Sequence, residues 1–215
     1  MQVLFIRHGE TAANRTGSYQ RAAEPLSARG RAAMQETANQ LTEWHPTHIL
    51  TSPMQRAQMS AKILADTLGL TPIHFAEARE VRWPISLEGT SHRSLASARH
   101  MFRWFTQRNV HSDDPKRGES YATLRKRIER TKHILETYPD DARIVVVSHS
   151  VYINFFVEHV CNLEHVSVAA AGPRLVKILL LKNTNATLLE CETYSAEHTC
   201  NWHLQSFNIP ISQLT

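Results

Sequence analysis

The sequence predicts an α/β fold, a three-layer sandwich whose mainly parallel central sheet is flanked by helices. Three observations carry that expectation. Val3-Leu4-Phe5-Ile6 and Ile144-Val145-Val146-Val147 are continuous apolar runs, as strands covered on both faces require. Longer segments between them repeat apolar residues at helical spacing. Strand and helix alternate along the first seventy residues in the rhythm that parallel crossovers impose.

The elements follow in order. After the first strand, Leu26-Ser27 reads as a helix start, with Ala33, Thr37, Leu41 and Trp44 recurring until His45-Pro46 stops the pattern. His48–Thr51 is a second strand. Ser52 is placed to cap a helix with Pro53 at its first position, and Ala57, Ala61, Leu64 and Leu68 form its buried stripe before Gly69 ends it. Arg56 then falls in the first turn. Residues 75–118 are rich in Arg, His and Trp without a long apolar period, so they read as a small cap inserted over the sheet. From Ser120 an amphipathic helix runs through Leu124, Ile128, Thr131, Leu135 and Tyr138 to Pro139. Its cluster Arg125, Lys126, Arg127, Arg130 and Lys132 reads as a solvated face with Glu129 and Glu136 as partners, Arg127 being the candidate to point inward. A strand at 144–148, a helix at 151–160, strands at 176–181 and 187–192 with a turn at 183–186, and a packed tail at 202–215 complete the reading. No repeat or Gly/Ser-rich linker interrupts the chain, so one domain over 1–215 is expected.

At 215 residues the chain can bury roughly 70% of the surface its unfolded form exposes. Its 24 basic and 20 acidic residues interleave along the chain, which gives no basic stripe for nucleic acid. No apolar run is long enough for a membrane span and no signal-peptide succession opens the chain, so a soluble, cytoplasmic protein is expected. Cys161, Cys191 and Cys200 are too few and too scattered for a disulfide framework, and reduced thiols are expected. Cys191, His198, Cys200 and His203 are the best zinc donors, but they lack Cys-x-x-Cys or His-x-x-x-His spacing, so no metal is expected there.

Chemistry concentrates at two strand ends. The first strand runs into Arg7-His8-Gly9-Glu10-Thr11 and the later one into Ser148-His149-Ser150. In a parallel sheet, ligands bind beyond the carboxyl ends of the strands, where helix N-termini favour anions. Arg7, His8, Arg56 and His149 all fall there, and two guanidiniums with two imidazoles call for an anion such as a tetrahedral phosphate. His8, with Gly9 allowing close backbone approach, is the candidate nucleophile.

Five blocks in order resemble the histidine phosphatase superfamily, also called phosphoglycerate mutase-like. They are Arg7-His8-Gly9-Glu10-Thr11 with Asn14, Pro25-Leu26-Ser27 with Gly30, Thr51-Ser52-Pro53 with Arg56-Ala57, Gly118-Glu119-Ser120, and Val147-Ser148-His149. The resemblance implies one α/β domain and a covalent phosphohistidine mechanism with no metal and no cofactor. It implies that His8 attacks phosphorus, that Arg7, Arg56 and His149 stabilise the phosphoryl oxygens, and that Asn14 lines the pocket. A proton donor for the leaving group comes, in this family, from an acidic residue of the insertion. Glu77, Glu80 and Glu88 are the candidates, with Glu80 the best match, although 80–89 departs from the family's usual Glu-x-x-x-Gly-x-x-Glu-Gly pattern. Ser150, where the family most often has Gly, either contacts phosphate or caps the following helix.

Tyr19, Gln20, Arg82, Trp83, Arg93 and Glu88 are candidate substrate-facing residues, because the insertion and the loop after His8 should border the pocket. The expected function is a histidine acid phosphatase-type phosphohydrolase, a phosphomonoesterase acting on a small phosphorylated metabolite. The alternatives are a phosphoglycerate mutase-type transfer, which the modest insertion disfavours, and a non-catalytic phosphate- or phosphoprotein-binding module. A homodimer is an arrangement that Trp104 and Phe105 of the insertion would serve if exposed.

Overall fold

The computed structural model describes residues 1–106, 118–161, 181–194 and 199–214. Six strands, β1 (Gln2–Arg7), β2 (His48–Thr51), β3 (Pro72–His74), β4 (Arg143–Ser148), β5 (Ala186–Tyr194) and β6 (Thr199–Ile209), form one sheet in the order β3-β2-β4-β1-β5-β6. The first four in that order are parallel, while β5 and β6 add antiparallel to β1. Alternate residues of β1 serve opposite faces. Val3 and Phe5 pack with Leu124, Ile128, Tyr152 and Phe156 of α5 (Tyr121–Leu135) and α6 (Ser150–Cys161). Leu4 and Ile6 pack with Met34, Leu41, Ala57 and Leu64 of α2 (Ala28–Leu41) and α3 (Gln55–Leu68). This is the expected three-layer α/β sandwich.

Three elements escaped the periodicity for identifiable reasons. The short α1 (Ala12–Thr16) is set by a capping box between Thr11 and Asn14 rather than by an apolar stripe. In the insertion, α4 (Leu95–Thr106) leaves Leu95 and Phe102 exposed, so no clean buried face marks it. The expected tail from 202 onward is instead, as far as Ile209, part of the edge strand β6, where the alternation of Trp202 and Leu204 with Asn201, His203 and Gln205 is short and breaks at Gln205-Ser206. The strand expected at 176–181 lies outside the described residues except for Leu181, which is in neither helix nor strand. Ser52 does not cap α3; Met54 holds that position.

Cys191 and Cys200 are joined as a disulfide across β5 and β6, with Cα atoms 5.5 Å apart, so the expectation of reduced thiols fails for this pair. Antiparallel pairing places Cys191 opposite Trp202 and Cys200 opposite Thr193, which makes the two cysteines diagonal neighbours. Cys161 is free. His198 lies outside the described residues, His203 is exposed, and no cluster of three metal-ligating side chains occurs among the described residues.

The turn after β1 is pressed directly onto α2. A Cβ on Gly30 would meet the Glu10 carbonyl oxygen at 2.1 Å, and one on Gly9 would meet the Gly30 oxygen at 2.7 Å. Alanine favours a helix over glycine by about 1 kcal/mol, but this backbone contact reverses the sign, and Gly30→Ala is expected to destabilise by about 1 to 3 kcal/mol. Urea unfolding checks it; a variant as stable as the wild type would contradict the close approach.

Candidate active site

Sheet register builds the site before any side chain is considered. β1 and β4 align Arg7 with Ser148, so the next residues, His8 and His149, leave adjacent strands side by side, and the His8 amide donates to the Ser148 carbonyl at 3.0 Å. β2 aligns Thr51 with Val147, which brings Ser52 alongside. The two imidazole centroids are 5.0 Å apart, and both residues are at most 1% exposed.

Hydrogen bonds fix the His8 tautomer and favour one for His149. His8 Nδ1 lies 2.7 Å from the Gly9 carbonyl oxygen, which can only accept, so Nδ1 carries the proton. Nε2 is left with its lone pair and accepts from Arg56 Nε at 3.2 Å. Gly9 is held by Ser60 Oγ, which accepts its amide at 3.0 Å and donates to the Arg56 carbonyl. For His149, Nε2 lies 2.7 Å from Ser52 Oγ. Ser52 Oγ also accepts the Met54 amide, and Nε2 is the acceptor its own proton has among the described residues; that pairing puts the His149 proton on Nδ1. That Nδ1 is buried without a hydrogen-bond partner among the described residues, as is Arg7 Nε. Buried donors left unpaired are costly, and an incoming oxyanion would satisfy both.

Arg56, in the first turn of α3, is 1% exposed and uses its remaining nitrogens on the Arg21 carbonyl and Met54 Sδ. Arg7 is half-buried and donates to the Leu181 carbonyl. Burial pulls each guanidinium down to about 10, and the Glu80 carboxylate opposes that fall in both, so they stay charged at neutral pH. Asn14 Oδ1 accepts from the Thr11 amide and from Asn183 Nδ2, and Asn183 also donates to the His8 carbonyl at 2.8 Å. This leaves the Asn14 amide nitrogen for an anionic oxygen.

Of the three candidate acids, Glu80 alone couples to the arginine pair. Its Oε1 accepts the amides of Val81 at 2.9 Å and Tyr152 at 3.1 Å, and Oε2 accepts that of Val151 at 3.4 Å, placing the carboxyl at the N-terminus of α6. Desolvation raises its pKa, offset by those amides and by Arg56. Glu77 instead pairs with Arg130 at 3.2 Å, and Glu88 is exposed, 3.9 Å from Arg21. Ser150 opens α6 and its carbonyl accepts from Asn154.

The border residues divide. Tyr19 is buried, bonded through its hydroxyl to Ser97 and stacked edge-on against Trp83, so it ties the first loop to the insertion. Gln20 donates to Thr11 Oγ1. Arg82 is half-buried, its Nε without a hydrogen-bond partner among the described residues, whereas Arg93 is exposed. Trp104 is buried and donates to the Glu119 carbonyl at 2.7 Å, so it anchors the insertion and offers no exposed dimer contact; the Phe105 side chain lies outside the described residues. Sequence reasoning missed Ser52 and Ser60 as site residues. Ser52 lies in the Thr51-Ser52-Pro53 stretch, where its place before a helix suggests a cap, and Ser60 follows Arg56 by one helical turn. Asn183, in a turn, carried no signal.

A cavity of about 200 Å³ lined by Met1, Glu136, Tyr138, Cys191 and Cys200, among others, lies beside the starts of β1 and β4 and includes none of these histidines or arginines.

Burial also lowers both histidines well below the ordinary value of 6.5, with Arg56 and Arg7 adding to the fall. The native state keeps them neutral where the unfolded chain takes up protons, so stability rises with pH through the window just below 6.5, by about 1.4 kcal/mol per pH unit for each fully differential histidine. Glu80 opposes this in part, since its raised pKa makes the native state hold a proton that the unfolded chain releases. Two histidines outweigh one carboxyl, and urea unfolding without phosphate is expected to show a loss of stability between neutral pH and about pH 5. Constant or increasing stability on acidification would contradict the neutral pair.

Fold and cluster together define an α/β protein with two buried histidines and the arginines Arg7 and Arg56 gathered at the strand ends. The chain matches the model of the histidine phosphatase superfamily (branch 1) over residues 3–195 and belongs to that family. It is 28% identical over 164 residues to the "Probable phosphoglycerate mutase GpmB" of Yersinia enterocolitica, covering 76% of each chain. Among solved structures it is similar to mycobacterial glucosyl-3-phosphoglycerate phosphatase, at 22% identity with a TM-score of 0.73, over 97% of this chain and 99% of that one. The α-ribazole phosphatase of Shigella flexneri gives 21% identity and a TM-score of 0.73 over 98% of each. No helix among the described residues is long and apolar enough to cross a membrane.

Proposed function

We propose that the chain is a phosphomonoesterase that hydrolyses a small phosphorylated metabolite through a phosphohistidine at His8, with 75–118 as a cap on a single domain. The observation that carries this reading is the His8 ring itself, its Nδ1 proton held by Gly9 and its Nε2 lone pair facing the Arg56 guanidinium. A substrate phosphate draws Arg56 onto its oxygens and frees Nε2. An N–P bond then forms in line as the P–O bond to the leaving group breaks, and the departing oxygen takes the Glu80 proton. Arg7, Arg56, Asn14 and His149 Nδ1–H hold the phosphoryl oxygens as charge shifts among them. Water next attacks phosphorus, Glu80 takes its proton back, and the N–P bond breaks to release inorganic phosphate. The phosphatase names of the similar structures support hydrolysis.

Mutase-type transfer is the second reading, favoured by the printed name of the Yersinia relative. It shares the first half-reaction and differs in the acceptor. The test is the initial rate of inorganic phosphate release from para-nitrophenyl phosphate with a chelator present. Sustained release supports the phosphatase. Release only after a phosphorylated primer is added, with transfer between phosphoglycerate oxygens, would overturn it in favour of the mutase.

A further inference from the structure

Glu80 sits in a stretch, residues 79–84, that belongs to no helix or strand. Backbone groups there find partners outside regular structure, and those partners decide how firmly the carboxyl is held. Arg127 Nη1 donates to the carbonyls of Glu77 and Arg79, each at 2.6 Å. Ser148 Oγ donates to the Ala78 carbonyl at 2.7 Å. On the other side of Glu80, Glu119 Oε2 accepts the Arg82 amide at 3.2 Å, and the Glu119 amide donates to the Arg82 carbonyl. Arg127 and Glu119 are themselves joined by two parallel bonds, Nε to Oε1 at 3.0 Å and Nη2 to Oε2 at 2.8 Å, and both residues are at most 2% exposed. The Arg127 guanidinium also covers the Tyr152 ring at 4.8 Å, and the Tyr152 amide is a donor to Glu80.

Stripping water from such a pair costs about as much as the attraction returns, so a buried ion pair is weak evidence of a stabilising role. An apolar pair of similar volume would fill the space but would leave the Glu77, Arg79 and Arg82 backbone groups without these partners. We propose that Arg127 and Glu119 are positioning residues for the Glu80 proton donor, setting where its carboxyl stands relative to the leaving-group oxygen without touching any reacting atom. The proposal rests on the reading of Glu80 as the donor. Its consequence is selective: esters with a poor leaving group depend on the pair, and activated aryl esters do not.

The test compares kcat/KM for an alkyl phosphate and for para-nitrophenyl phosphate in the full chain and in Glu80→Gln, Glu119→Gln and Arg127→Lys. Each variant is expected to lose about 10- to 100-fold on the alkyl ester with little change on the aryl ester. Combining Arg127→Lys with Glu80→Gln is expected to add no further loss on the alkyl ester, since both act through one group. Equal losses on the two esters in Glu119→Gln and Arg127→Lys, with Glu80→Gln still selective, would overturn the positioning role and leave Glu80 as the donor. A Glu80→Gln variant with no selectivity would remove the donor and the proposal together. Glu119→Gln preserves shape and one acceptor oxygen, so it decides the matter if Arg127→Lys does not fold; unchanged activity on both esters would count against the proposal.

Discussion

His8→Ala is expected to lose turnover on every phosphate ester by at least roughly 10⁴-fold, the scale seen when a covalent nucleophile is removed. No neighbour among the described residues can replace it. Arg56 and Arg7 are cationic and have no lone pair to offer, and His149 Nε2 is engaged by Ser52 Oγ. Activated aryl esters should fare no better than alkyl ones, because the loss is in bond formation to phosphorus rather than in leaving-group protonation. The fold should survive, since β1, which leads into His8, is held by backbone pairing with β4 and β5. Steady-state rates with circular dichroism as a folding control check the expectation, and a residual activity within about tenfold of wild type would exclude His8 as the nucleophile.

Arg56→Lys should cost about 10²- to 10³-fold in kcat/KM, comparable to losing a preorganised donor to a developing oxyanion. The guanidinium spreads three nitrogens over three partners, His8 Nε2, the Arg21 carbonyl and Met54 Sδ. An ammonium cannot keep the planar fork that orients one donor toward the nucleophile while the others stay tethered. The charge is retained, so much of the attraction for phosphate should persist and the larger share of the loss should fall on kcat. A change confined to KM would mean that Arg56 only binds substrate.

Much of this geometry was legible in the sequence because it follows from strand ends. Two apolar runs terminating in histidine are brought together by parallel register alone, and the family blocks lie on the same strand ends and helix starts. Glu80 was also within reach, through its position in the insertion, although only the structure shows its carboxyl at the α6 N-terminus. Sequence reasoning failed where function or structure rests on contacts between distant segments. Ser52 serves His149, ninety-seven residues away, and Asn183 serves His8 and Asn14, so no local spacing could reveal either. β6 was hidden for another reason: its alternation spans only Asn201 to Gln205 and is broken at Gln205-Ser206, where the register with β5 shifts. The Cys191–Cys200 pair depends on that same β5–β6 register and was lost with it.

The central claim, that His8 carries the phosphoryl group in a covalent intermediate, is tested most directly by the stereochemistry of hydrolysis at an isotopically chiral phosphorus. Two successive in-line displacements, first by His8 Nε2 and then by water, predict net retention of configuration. Net inversion would show that water attacks the ester in a single step, and would contradict the account.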